Sequence, residues 1–315
     1  MTPSADIPIV FIVGTGRCGS SLLQEALSRH PSIGFLSNFD DRFGTSGRWN
    51  QRLYSAVPQR LTRKGRMRFA PSEGYRLLDR QVSPVISRTC RDLTESDVTP
   101  WVRRQLTAVF AQRHSAQRSA LFLHKFTGWP RAGFLKEVFP RARFIHVVRD
   151  GRAVSNSLLQ MPWWHGWSGP DNWRLGRLPA PYAQLWERHD RSFVVLAGLY
   201  WRVLMDAHED AQRRMDGDGA WTSVRYEDLV AKPQATLSSL LEWVGLEWTR
   251  TSARRMAAYE FSPVRSAAFR RDLSQQQLQQ LQDVLFPTLL RYGYVDHEAP
   301  TTVHVTSANG DQYRA

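Results

Sequence analysis

The residues best equipped for chemistry lie in a glycine-rich stretch, Gly14-Thr15-Gly16-Arg17-Cys18-Gly19-Ser20-Ser21. It follows a run of β-branched and aromatic residues, Ile9 to Val13, and meets an apolar helical pattern that starts near Ser20. Strand, tight turn and helix within about twenty residues aim backbone N–H groups and a helix N-terminus at one point, which is how α/β proteins hold an anion. The loop fits two fingerprints. As G-x-x-x-x-G it has phosphate-loop spacing, with Ser20 where that motif carries lysine. As G-T-G-R-C-G it also fits the dinucleotide pattern G-x-G-x-x-G. Asp40 and Asp41 stand about twenty residues further on, where a dinucleotide fold places its ribose-binding acid. Two such aspartates equally well open a solvent-exposed loop.

These groups need a scaffold, and the hydrophobic pattern supplies one. Strands are expected at Ile9–Val13, Ser32–Phe39, Leu121–Lys125, Phe144–Val148 and from Trp221 through RYEDL. The fourth is apolar on both faces except His146, as a covered parallel strand should be. RDGRAVSNSLL, residues 149–159, follows it directly. Ligands of open α/β sheets gather at the carboxyl ends of strands, which puts this turn beside the opening loop. Between the strands lie helices. One is capped by Thr99 and Pro100 with Trp101, Val102, Leu106, Val109 and Phe110 as its buried face. Another uses Phe193, Ala197, Tyr200 and Leu204, and a last one starts from a Ser274–Gln277 capping box.

The chain has 315 residues, 42% of them hydrophobic and 23% charged, enough for one large α/β domain with a sizeable core. That domain is expected over residues 1–296, with a basic insert at 42–73, an aromatic loop at 160–186 and a disordered tail at 297–315. No stretch has the length of a membrane span, and no basic, apolar and cleavage-site succession marks a secretory signal. Cys18 and Cys90 are too few for a disulfide framework or a zinc site, so a reduced, cytoplasmic protein is expected. The net charge of +13, nearly all from arginine, asks for an anionic ligand: nucleic acid, an acidic membrane face, a polyanion or a highly charged nucleotide. The run Arg60 to Arg68 contributes to it, and such a run is commonly just a solvated face.

Three elements now stand at one sheet edge: GTGRCGSS, RDGRAVSNS and RYEDL. In that order and spacing the chain resembles the sulfotransferase family that uses 3′-phosphoadenylyl sulfate, from about Ile9 to about Tyr294. GTGRCGSSLL resembles the family's 5′-phosphosulfate loop, and FPRARFIHVVRDGRAVSNSLL its 3′-phosphate motif. RYEDLVAKP with LSSLLEWVGL, and FRRDLSQQQLQQLQDVLFPTLLRYGY, resemble its later segments. The RDGR variant is closest to the bacterial and protein-tyrosine branches. The resemblance implies a P-loop NTPase-like three-layer fold, a central parallel sheet flanked by helices, with no metal in the reaction. It implies that Arg17, Cys18, Gly19, Ser20 and Ser21 hold the 5′-phosphosulfate and that Arg149 and Ser157 hold the 3′-phosphate. Tyr226 and Arg265 would complete the donor site, with Arg270 and Arg271 as equal claimants for the latter role. Lys125 matches the lysine that stabilises the sulfuryl group, and Arg17 would reach the bridging and leaving oxygens. The missing phosphate-loop lysine then follows from a donor that carries less charge at that end than a nucleoside triphosphate.

An acceptor hydroxyl needs a base. Thr127 stands where the small-molecule branch has histidine, and Ser37 or Asn38 where the protein-tyrosine branch has glutamate. Asp40 or Asp41 is the expected base, then His165, then His124. The acceptor class stays open between carbohydrate, glycolipid, aromatic and peptide; the tryptophans of 160–186 suit a ring or a lipid. Two other readings compete. A Rossmann-type NAD oxidoreductase rests on G-x-G-x-x-G and Asp40 but leaves RDGRAVSNS without a role. A basic module for nucleic acid or an acidic membrane rests on charge, without a helix-turn-helix, zinc or RNA-binding signature.

Overall fold

Burial along the first strand alternates between two separate cores. In β1, Ile9–Val13, the side chains of Ile9, Phe11 and Val13 enter one apolar cluster, while Val10 and Ile12 enter another on the opposite face. A strand covered on both faces belongs in the middle of a sheet, and that is where it lies. The computed structural model describes residues 6–56, 69–173, 175–215, 217–257, 259 and 261–295. The basic run 60–68 and the tail 297–315 lie outside the described residues. Five strands pair in the order β2-β3-β1-β4-β5, with β2 Ile33–Phe35, β3 Leu121–Lys125, β4 Arg143–Val148 and β5 Trp221–Arg225. Every pair is parallel; β1 lies between β3 (Phe11 opposite His124) and β4 (Phe11 opposite Phe144).

Helices cover both faces, giving the expected three layers. Tyr75–Gln81, Pro100–Gln117 and Ala132–Val138 pack on the Phe11 side. There Phe11 meets the rings of Phe110, Phe126, Phe139 and Phe144 at 5.8–6.0 Å. Helix α1, Ser20–Leu27, and the helices Tyr226–Ala231 and Pro233–Trp243 cover the other face. A third cluster joins Gly151–Leu159, Phe193–Arg214 and Gln275–Arg291 beyond the end of β4. From β1 the chain moves to β2 and β3 on one side, then returns to β4 and β5 on the other. The crevice outside the carboxyl ends of β1, β3 and β4 is therefore a topological switch point, the place where open α/β sheets bind ligands. No helix among the described residues is long and apolar enough to cross a membrane.

Local chemistry changed several sequence expectations. The second strand ends at Phe35 because Ser37 begins a capping box: Asp40 N donates to Ser37 Oγ (3.1 Å) and Ser37 N to Asp40 Oδ2 (2.8 Å). Helix α2, Asn38–Phe43, follows, so two competing local signals met there and the cap prevailed. The last strand stops at Arg225, and Tyr226 opens a helix instead. Trp101 and Phe193, expected inside, are exposed, since each occupies the first turn of its helix, at the edge of the layer. The aromatic loop is split: Trp164 and Trp173 are core residues, whereas Trp163 and Trp167 are exposed.

Candidate functional site

The loop after β1 turns back on itself through left-handed residues. Gly16, Arg17 and Gly19 have φ of 81°, 56° and 96°. For Arg17 this conformation is strained, of order 1–2 kcal/mol, and its surroundings hold it there. Arg149, at the end of β4, donates to the Arg17 carbonyl (2.8 Å) and to the Arg265 carbonyl (2.7 Å). Its guanidinium lies 4.4 Å from the centre of the Tyr226 ring. That ring presses on the loop: a Cβ on Gly19 would stand 2.3 Å from Tyr226 Cδ2, so only glycine fits. The Arg17 side chain donates through Nε to Ser157 Oγ at 2.9 Å.

A cleft of about 560 Å³ opens over this knot, lined by the loop residues Arg17, Gly19, Ser20, Ser21 and Leu22 and by Arg149, Tyr226, Ser262 and Arg265. Among the described residues no carboxylate lines it. Burial, and then the charges of Arg149 and Arg265, push the Arg17 guanidinium below its usual pKa, as three guanidiniums around one space should. The first N–H groups of α1, whose N-cap is Gly19, have no intrahelical acceptors and add positive potential. Such a site suits an anion with more than one charged group.

A second cleft, about 380 Å³, adjoins the first and shares Arg17, Ser20 and Ser21 with it. Its floor is the end of β3. Lys125 Nζ donates to Ser21 Oγ (2.6 Å) and lies 3.2 Å from Glu73 Oε1. The same carboxylate oxygen accepts from Thr127 Oγ1 at 2.8 Å. Tyr75, whose phenol pKa burial and Glu73 push up, holds the Thr127 backbone through its hydroxyl. Trp129, Trp163 and Tyr200 give the cleft aromatic walls, while Ser87 and Thr89 bring hydroxyls to it. Arg131 ties the floor together by donating to the carbonyls of Ile86 (2.9 Å), Thr127 (3.3 Å) and Trp129 (2.5 Å).

Among the residues expected from sequence, Arg17, Gly19, Ser20, Ser21, Arg149, Tyr226 and Arg265 share the first cleft, and Lys125 joins through the second. Ser157 reaches the site through Arg17, lining neither cleft. The Cys18 side chain is buried beneath the loop in the apolar cluster, which leaves its backbone as the part available to a ligand. Arg270 and Arg271 line neither cleft; Arg271 pairs with Asp272.

The expected bases are placed elsewhere. Asp40 is fully buried, and its carboxylate accepts from Ser37 and Asn50 (2.5 Å) and from Thr45. Asp41 accepts from Leu77 N at 2.9 Å. His165 is exposed beside Trp167. His124 is sealed among Phe11, Phe110 and Phe126, where burial and then Lys125 lower its pKa to about 3. Glu73, the carboxylate that does face the loop, was missed by sequence reasoning. Its one signal is isolation: no other acid occurs between Arg42 and Ser72, and Gly74 follows as a turn with φ of 64°.

The chain belongs to the sulfotransferase family, whose sequence profile matches residues 8–250. No curated protein sequence matches it. Sulfotransferase STF9 from Mycobacterium avium superposes with a TM-score of 0.56 at 15% identity, covering 94% of this chain and 78% of that one. A sulfotransferase domain from the curacin biosynthetic pathway gives 0.52 at 14% identity, covering 90% and 98%. Sulfotransferase STF1 from Mycobacterium tuberculosis gives 0.50 at 16% identity, covering 90% and 77%. At these identities the likeness is one of fold, and it agrees with the parallel sheet described above.

Proposed function

We propose that the chain moves a sulfuryl group from 3′-phosphoadenylyl sulfate to an acceptor hydroxyl, with the donor over the arginine-lined cleft and the acceptor in the aromatic one. The observation that carries this reading is that the two clefts meet at Arg17, Ser20 and Ser21. A transfer reaction needs two substrates whose reacting ends face each other at one point. The donor fits because it brings phosphates and a sulfuryl group to a cleft with three guanidiniums and, among the described residues, no carboxylate. Arg149 and Arg265 would hold the 3′-phosphate end, with Tyr226 as a flat neighbour. Backbone N–H groups of residues 18–21 and the hydroxyls of Ser20 and Ser21 would hold the 5′ end. Ser157 braces Arg17 and so acts on the donor at second hand.

Glu73 is the base in this reading. It takes the acceptor proton as the acceptor oxygen bonds to sulfur, while the bond from sulfur to the bridging oxygen breaks and its electron pair stays on the phosphate. Arg17 and Lys125, both lining the acceptor cleft, would stabilise that negative charge. Flat aromatic walls with hydroxyls between them favour a sugar or an aromatic ring as acceptor. The dinucleotide alternative loses its ribose acid, because Asp40 is enclosed in the α2 capping box.

Calorimetry with adenosine 3′,5′-bisphosphate and NAD tests the donor. The bisphosphate should bind without magnesium and NAD weakly. Arg149→Ala removes charged hydrogen bonds and should weaken the bisphosphate by about 30-fold, roughly 2 kcal/mol. Equal binding of NAD, or an Arg149→Ala variant with unchanged affinity, refutes the donor assignment.

A further inference from the structure

Outside both clefts, the chain keeps large apolar side chains in water. Phe39 and Phe43 lie four residues apart on α2, 38% and 63% exposed. Trp49 and Leu53, 51% and 50% exposed, repeat that spacing at the helix Asn50–Ala56. Each pair faces outward while its neighbours face in: Asp40 and Asn50 are buried and bonded to each other, and Tyr54 packs on Phe35. Phe69 links the two helices, its ring 5.5 Å from Phe39 and 6.3 Å from Tyr54. Single exposed apolar residues need no explanation, but four large ones on consecutive helices do.

Their charged neighbours are all of one sign. The Arg42 guanidinium lies 5.4 Å from the centre of the Phe43 ring, and those of Arg48 and Arg52 lie 5.2 and 5.1 Å from that of Trp49. Arg80 donates to the carbonyls of Arg42 (3.3 Å) and Asp41 (2.7 Å). From Arg42 to Ser72 the sequence has no acidic residue. Asp40 and Asp41, just before it, spend their carboxylates on interior groups.

We propose that this face docks the protein peripherally on an anionic lipid bilayer. Trp49, Phe43 and Leu53 would enter the headgroup region while the arginines pair with lipid phosphates. Aromatic rings and basic residues interleaved on short surface helices are the composition that interfacial binding requires. The charge is complementary to an acidic leaflet, and each arginine near such a surface is worth about 1 kcal/mol, about fivefold in affinity. A single-stranded nucleic acid is the weaker fit. It takes splayed rings as stacking platforms, whereas Phe39, Phe43 and Phe69 pack on one another, and Leu53 has nothing to offer a base. The proposal is independent of the donor and base assignments.

Sedimentation of the full chain with lipid vesicles tests it. Vesicles of phosphatidylcholine with about 30% phosphatidylglycerol should retain the protein in a salt-sensitive way, and pure phosphatidylcholine vesicles should not. Arg48→Gln with Arg52→Gln should weaken retention about 25-fold, from two losses of about fivefold. Phe43→Ser with Trp49→Ser should weaken it at least tenfold at low salt. Both double variants should keep the parent's circular-dichroism spectrum and melting temperature, which checks that they fold. The proposal is overturned if the parent stays in solution with both vesicle types. Variants that sediment like the parent overturn it too, as does a single-stranded RNA that the parent prefers to the anionic vesicles.

Discussion

Replacing Glu73 by glutamine separates proton transfer from every other property of the acceptor cleft. Glutamine has the shape of glutamate and keeps an oxygen for the Thr127 hydroxyl, now 2.8 Å from Glu73 Oε1. That oxygen also takes the Lys125 contact at 3.2 Å, which leaves Oε2 as the atom free to receive the acceptor proton. The side chain is 27% exposed, enough for an acceptor to reach it and too little for bulk water to replace it easily. A positioned general base contributes about 10²–10⁴ in rate, so the barrier should rise by about 3–5 kcal/mol. Transfer of labelled sulfuryl to a pool of phenols and sugars, at saturating donor, reads the turnover; calorimetry with adenosine 3′,5′-bisphosphate reads the donor site. The expected result is turnover reduced at least 100-fold with bisphosphate binding equal or tighter. A variant within tenfold of the parent shows that Glu73 is not the base. A variant that loses bisphosphate affinity shows that the two clefts were divided wrongly.

Two further outcomes follow from the same geometry. Thr127→Val removes the hydroxyl that holds Glu73, so turnover should drop about tenfold while Thr127→Ser restores it; a purely structural role for Thr127 would lower the melting temperature in step with activity, and a differential scan checks this. Stability should also depend on the buried histidines. Burial lowers the pKa of His124 and His208 to about 3, and burial with His208 beside it lowers that of His146, from an unfolded value near 6.5. Below pH 6.5 the unfolded chain takes up protons that the folded chain refuses. Their contribution is therefore complete above pH 6.5 and falls, by up to about 1.4 kcal/mol per pH unit for each histidine, as the pH drops toward 3. Urea midpoints at pH 7.0 and 5.5 should show that loss, and His124→Phe, placed between Phe110 and Phe126, should shrink it; midpoints that do not move would contradict it.

What could be read from the sequence followed from how local each signal was. Ile9–Val13, the glycine loop and the Arg149 turn declare themselves through short-range pattern, and the parallel sheet follows from strands that are apolar on both faces. Arg17, Ser21 and Arg149, which line one cleft, were expected together because loop and strand end are contiguous with a motif. Glu73 was not, because its role depends on the segment Phe69–Tyr75 returning to β2 and β3. A bridge between Ser37 and Pro71 and paired bonds between Asn38 and Ala70 make that return, and nothing in the neighbouring residues announces them. The expectation of Asp40 as a base meets the reverse situation, since the structure encloses it in a cap. Its serine partner three residues earlier spells a cap as plainly as its position suggests a ribose ligand, and the cap had the stronger local geometry.

The displaced lysine explains more than donor choice. In a nucleoside-triphosphate loop the lysine sits on the loop itself and serves the phosphates alone. Here Ser20 holds that place, and the cation comes from β3 as Lys125, between Ser21 Oγ on the donor side and Glu73 Oε1 on the acceptor side. One charge thus faces both clefts. Lys125 is the counter-ion of Glu73 in this structure. An anion at Ser21 would compete with Glu73 for that contact. The tighter bisphosphate binding expected of Glu73→Gln has the same origin, because the amide no longer competes for Lys125.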